Sequence, residues 1–182
     1  MSLEILENAE VLFVVDHEAL GELLEDLLVA LGQGNATVAF ARLDLFWARL
    51  AMHIRGEHLH LFPAILTAVE DVAQRRADNP PTLPDALEAI TQLHRDHDFF
   101  MHELAAAIKI MRTEADNTIA LESVQQMIST VRDRLELHNR LEEDMVYRWP
   151  AKLLEPEEQT ALAAQIHGEL ENLPPRFSDD AA

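Results

Sequence analysis

His53 to Pro63 reads HIRGEHLHLFP, and this stretch decides how the rest of the chain is read. It sets a histidine and a glutamate four residues apart, a spacing that puts His53 and Glu57 on one face of a helix. The arrangement returns at His138 to Tyr147, HNRLEEDMVY, where Glu142 lies four after the histidine and an aromatic residue again lies nine after it. The two copies suggest one metal site built twice.

Outward from these stretches the apolar residues keep a helical period. A first helix is expected from about Leu3 to Leu31, with Phe13, Leu20, Leu24, Leu27 and Leu31 on a seam that includes His17. Gly32-Gln33-Gly34-Asn35 should end it, glycine taking a left-handed conformation and Asn35 capping the next helix. A second helix runs from about Thr37 to the region of Val69, with Pro63 expected to kink it or reshape its last turns. Residues 75–84, RRADNPPTLP, read as an extended connection.

A third helix is expected from about Asp85 to Arg112, with Leu87, Ile90, His94, His97, Met101, Leu104, Ile108 and Met111 on its seam. The fourth, from about Ile119 to Trp149, carries Leu121, Val124, Ile128, Val131, Leu135, His138, Glu142, Met145 and Trp149. A shorter helix from Pro156 to Leu173 should pack outside them, followed by a polar tail, 174–182. Asp16-His17 matches Asp96-His97, so the chain reads as two helical hairpins related by a pseudo-twofold axis. Neither hairpin buries its seam alone, so the expectation is one domain over 1–182: an all-α, antiparallel up-down four-helix bundle over about 3–152 with a short extra C-terminal helix.

Composition narrows the chemistry. The net charge of -19, from 33 acidic against 14 basic residues, would repel phosphate backbones and anionic lipid, which argues against nucleic acid and membrane surfaces as partners. The absence of cysteine excludes disulfides, thiolate metal sites and thiol nucleophiles together. Any metal must be held by nitrogen and oxygen. The N-terminal MSLEILENAE lacks the basic start and apolar run of a signal peptide, and no stretch approaches the ~20 apolar residues of a membrane span, so the expected location is cytoplasmic.

Each long helix thus offers a seam histidine, and two add a glutamate one turn later. Burying these groups without compensation is costly, and a cation compensates them directly. His17, His53, Glu57, His97, His138 and Glu142 are the candidate metal ligands. Four imidazole nitrogens and four carboxylate oxygens make about four protein donors for each of two ions; octahedral ions want about six, leaving room for an oxo or hydroxo bridge and an open position. Such donors suit iron first, with manganese or zinc also accepted.

His17, His53-x-x-x-Glu57 followed by Phe62-Pro63, His97 and His138-x-x-x-Glu142 resemble the hemerythrin-like, or HHE cation-binding, family over roughly residues 10–150. In ligand pattern the chain is most similar to the repair-of-iron-centres di-iron proteins, which are implicated in oxidative and nitrosative stress. The resemblance implies two iron ions and a small ligand such as dioxygen, nitric oxide or peroxide, bound by a protein that is more a binding protein than an enzyme. A homodimer is compatible with it. A sensory, regulatory or structural helical module without turnover is the alternative. The oxygen carriers of this family have a further histidine where this chain has Leu93, and they place the last carboxylate where Glu143 stands; symmetry with Glu57 favours Glu142.

Other residues read more plainly. His60 is expected to line the pocket or support the ligands, His94 either to complete an asymmetric site or to line the core, and Glu143 to be an extra ligand or a supporting group. His58, His102 and His167 fall off the seams and read as surface residues. Tyr147 reads as a helix-end anchor. Gly21 and Gly56 leave two readings open, room for a small ligand or close helix packing, and Asp16 and Asp96 point about 100° away from their neighbouring histidines.

Overall fold

The computed structural model describes residues 8–72, 80–114 and 117–177; among these all regular structure is helical, with no strand. Helix α1, Ala9–Gly32, begins where Asn8 Oδ1 accepts from the Glu10 amide, satisfying a donor that the first turn leaves free. The expected start near Leu3 lies outside the described residues. Gly34 turns the chain at φ +67°, in the left-handed region, and Asn35 caps α2, Ala36–Gly56, by accepting from Val38 N at 3.2 Å.

Pro63 does not break the second helix. The chain passes through a π turn, Glu57–Leu61, in which Phe62 N–H bonds to Glu57 O, and continues as α3, Phe62–Val72. Proline crowds the carbonyl one turn before it, and a widened turn relieves that crowding; π turns of this kind gather at functional sites. Residues 73–79, which hold most of the expected extended connection, lie outside the described residues.

Helix α4, Leu83–Glu114, starts ahead of the expected Asp85 because Thr82 and Asp85 cap each other, Thr82 N to Asp85 Oδ2 at 3.2 Å and Asp85 N to Thr82 Oγ1 at 3.4 Å. Pro84 in that first turn loses no bond. The buried stripe of α4 is Ala86, Ile90, Leu93, His97, Phe100, Leu104, Ala107 and Met111. The expected seam is thus displaced by one residue at four places, Ala86, Leu93, Phe100 and Ala107: Leu87 is 47% exposed and His94 is exposed, whereas Leu93 and Phe100 are fully buried. Adjacent apolar residues offered two parallel stripes, and packing selected the one through the Phe100 ring.

Helix α5, Thr118–Asp144, is capped by Asn117 and stops short of the expected Trp149. Met145 leaves helical geometry at φ −134°, a 3-10 turn covers Val146–Arg148, and α6, Trp149–Leu153, follows. Pro150 would have blocked the carbonyl of Val146 in a continuous helix, yet fits the start of a new one. Helix α7, Pro156–Leu170, opens on a capping box between Glu155 and Glu158, ends before the expected Leu173, and buries Leu162, Ala163 and Ile166. It packs on α1, α2 and the π turn. Of the polar tail, residues 178–182 lie outside the described residues.

Helix α1 packs against α2 and α5, and α4 packs against α5 and α2. Their buried apolar residues fall into two clusters. One gathers Leu20 to Leu31, Ala39 to Ile54, Phe100 to Met111 and Val124 to Leu135; the other gathers Phe13, Leu61 to Val69, Ala86 to Leu93, Val146 to Leu153 and Ile166. On every one of these four helices the ligand candidates sit at the change from one cluster to the other, so a polar layer lies between two apolar ones. Among the described residues, no helix is long and apolar enough to cross a membrane.

Candidate metal centre

The six expected ligands are brought together and buried: His17, His53, Glu57, His97, His138 and Glu142 are each 7% exposed or less. The histidines pair across helices, His17 Nε2 at 3.2 Å from His53 Nε2 and His97 Nε2 at 3.1 Å from His138 Nε2. Glu142 reaches both pairs, Oε2 to His17 Nε2 at 3.3 Å and Oε1 to His138 Nε2 at 3.0 Å. Glu57 does the same from the facing side, with Oε1 at 3.7 Å from His53 Nε2 and Oε2 at 3.2 Å from His97 Nε2. Two trios, His17–His53–Glu142 and His97–His138–Glu142, bring one ligand atom from each member within 4.8 Å of the others.

All four rings turn Nε2 inward, so Nδ1 faces outward. His17 Nδ1 lies 2.7 Å from Glu143 Oε1, and His53 Nδ1 lies 2.9 Å from Asp16 Oδ2. Donation to these carboxylates keeps the proton on Nδ1 and leaves each neutral ring with an Nε2 lone pair. Two such lone pairs at 3.2 Å repel each other unless a proton or a cation lies between them.

Asp16 does orient a histidine, contrary to the angular argument from sequence, because it turns to His53 on the next helix rather than to its own neighbour; Asp96 turns the same way but stops 3.5 Å from His138 Nδ1. Asp16 is held by Arg49 Nη2 at 2.7 Å, and Asp96 by Arg134 Nε at 2.7 Å. Each arginine stands four residues before a motif histidine, giving R-x-x-x-H-x-x-x-E at Arg49 and again at Arg134. That repeated spacing was the signal available in the sequence for this support.

The electrostatics follow from this packing. Burial disfavours protonation of His17, but Glu142, Glu143 and Glu57 outweigh it and raise its pKa to about 9. His97 is raised to about 9 in the same way, burial being overcome by Glu57 and Glu142. Burial pushes Glu142 toward neutrality, and the histidines around it pull its pKa well below the usual carboxylate value. Asp16, although buried, is lowered by His53 and Arg49. The protein without metal therefore carries protons where a metal would carry charge.

Several residues stand where the sequence did not place them. His58 is a half-buried partner of His97 rather than a surface residue, its Nε2 at 2.8 Å from His97 Nδ1. Burial and the neighbouring His97 and His94 lower its pKa to about 4, so it is neutral. His94 neither lines the core nor reaches the ligand cluster; it is exposed, with its ring 4.4 Å from that of His58. His60 faces Glu169 at 3.8 Å and lines a groove of about 470 Å³ with Leu59, Pro63 and Leu162, away from the cluster. A Cβ added to Gly56 would meet the Phe13 ring at 3.4 Å, so Gly56 serves close packing, whereas one on Gly21 would meet nothing within 4 Å and the space there is open.

Tyr147 is the residue that sequence reasoning undervalued. The 3-10 turn after α5 carries its hydroxyl into the cluster, 2.7 Å from Glu57 Oε1 and 3.1 Å from Glu142 Oε2. Burial, together with these two carboxylates, pushes its pKa well above the usual phenol value. Its ring stacks on Phe13 at 4.8 Å.

The donor set fits a pair of cations by a further observation: Glu57 Oε2 and Glu142 Oε1 are buried with only imidazole Nε2 atoms beside them, at 3.2 and 3.0 Å, and neither makes a well-aligned hydrogen bond. His138 Nδ1 is also unpartnered, because Asp96 Oδ2 at 3.5 Å is too far for a hydrogen bond. A cavity of about 10 Å³ beside His17, His53 and His138 has space for one water-sized molecule. Compared with protein-family models, with curated proteins and with solved structures, the chain matches none of them.

Proposed function

We propose that the protein is a non-haem di-iron protein of hemerythrin-like architecture that binds, or reacts with, a small ligand such as dioxygen, nitric oxide or peroxide. The observation that carries the reading is the pair of carboxylates, Glu57 and Glu142, each reaching one imidazole of both histidine pairs, with Glu57 Oε2 and Glu142 Oε1 facing only imidazole Nε2 atoms and lacking a well-aligned hydrogen bond. Two cations would satisfy these oxygens and the imidazole nitrogens together.

In this reading α1, α2, α4 and α5 form an antiparallel up-down bundle. The alternation of the two apolar clusters along successive helices supports it, since α1 and α4 pass from one cluster to the other and α2 and α5 pass back. His17 and His53 would hold one ion and His97 and His138 the other, with Glu57 and Glu142 placed to serve both. The ions would supply Lewis acidity and open coordination positions. Asp16 with Arg49 and Glu143 fix ring orientation and tautomer on one side, and His58 does so on the other. A role in oxidative or nitrosative stress, or in iron handling, is the biological setting that this chemistry suits.

Metal analysis of protein made in iron-supplemented medium and purified without chelators tests the reading. Two iron ions per chain are expected, with an absorption spectrum that changes on adding nitric oxide to the reduced protein. Less than one equivalent of any transition metal refutes the site, and full occupancy without a spectral response refutes the open position.

A further inference from the structure

We infer that the Tyr147 oxygen is a fifth protein ligand to the ion held by His17 and His53, which makes the two metal positions chemically unequal. The inference rests on the di-iron reading and goes beyond it. Around the hydroxyl oxygen lie Glu57 Oε1 at 2.7 Å, His53 Nε2 at 3.1 Å, Glu142 Oε2 at 3.1 Å and His17 Nε2 at 3.2 Å. These four atoms are the inward donors of that half of the centre. Adjacent ligands of an octahedral ion with bonds of about 2.1 Å stand about 3 Å apart, so the tyrosine oxygen is spaced from the four as a fifth vertex would be.

A hydroxyl meant only to brace a carboxylate needs one acceptor. This one is within hydrogen-bonding distance of four groups, all of which compete as acceptors for its single proton when the histidines are neutral with the proton on Nδ1. It is also buried, with Tyr147 only 1% exposed, in the layer that holds the candidate ligands.

Among the described residues the other half has no counterpart. Phe62, nine residues after His53 as Tyr147 is nine after His138, is a hydrocarbon ring lying 6.3 Å from that of His97. The His17/His53 ion would thus take five protein donors, counting Tyr147, and the His97/His138 ion four. An added small ligand would then bind at the His97/His138 ion, which has the more open sphere. On coordination the phenol O–H bond breaks, its oxygen donates an electron pair to the metal, and the proton passes to the buffer. A bound cation, as the largest local charge, favours that exchange.

Tyr147 is the sole tyrosine of the chain, so a phenolate signal can have no other source. The test loads the full chain, and Tyr147→Phe, with ferrous iron followed by air oxidation, and measures iron content, visible absorption and resonance Raman spectra. The wild type should hold two irons and show a visible phenolate-to-iron band whose Raman lines shift when the protein is made with ring-deuterated tyrosine. Tyr147→Phe should lose the band and bind one of its two irons at least about tenfold more weakly. Two irons without tyrosine-derived Raman lines in the wild type overturn the inference and leave the di-iron reading standing; no iron in the wild type overturns both. The deuterated wild type decides the matter even if the variant does not fold.

Discussion

Around His17 and His53 the outer partners are carboxylates, Glu143 at 2.7 Å and Asp16 at 2.9 Å, whereas His97 leans on the neutral ring of His58 and His138 stands 3.5 Å from Asp96. The repeated sequence pattern D-H then R-x-x-x-H-x-x-x-E underlies both halves, yet the residue after each glutamate differs, Glu143 in one and His58 in the other. A carboxylate partner makes a ligand histidine more basic and fixes its ring more firmly than a neutral imidazole does. The repeated pattern therefore supplies the candidate ligands, and the differences just outside them make the two positions unequal.

The largest effect should come from removing a group that the halves share. Glu142→Gln takes a bridging charge from both positions, and metal analysis should find the content falling from two ions per chain to fewer than one. Retention of two would show that the halves do not depend on a common carboxylate.

Next in size is a pH effect common to both halves. In the metal-free protein His17 and His97 have pKa values of about 9, above the ordinary 6.5, so their protonation stabilises the fold fully below pH 6.5 and that contribution is lost as pH rises toward 9. At about 1.4 kcal/mol per unit for each group, chelator-treated protein should lose several kcal/mol of stability across this window. Metal-loaded protein should move the other way, because metal and protons compete for the same nitrogens. Denaturant titrations at pH 6.5 and 9 check this, and a level profile for the metal-free form would contradict it.

Smaller effects separate the halves. Asp16→Asn should weaken binding of one ion by about 10–100-fold. Asp96→Asn, which removes no hydrogen bond from His138, should cost less, as competition with a chromophoric chelator would read out. Equal losses would erase the asymmetry. The smallest change is expected from His58→Phe, which leaves His97 without its partner but adds no charge; metal content should hold at two while release of one ion quickens a few-fold.

Some of this was legible from sequence alone. The 3.6-residue period of the apolar side chains and the four-residue His-to-Glu spacing act within a single helix, so the order of residues was enough to specify an all-helical chain and the six side chains that meet. The turn at Gly34 with the cap at Asn35 was equally local. Other features depend on contacts between elements, which no single helix encodes. Whether α4 buries Leu93 and Phe100 or His94 and Met101 turned on which stripe filled the space between its neighbours. Asp16 found its histidine on another helix, beyond the reach of any reasoning about angles on one helix. The stop at Asp144 carried Tyr147 into the polar layer, while the π turn at Glu57–Leu61 brought His58 to His97. A periodic pattern assumes an unbroken helix, and both of these placements arise where the helix departs from its period.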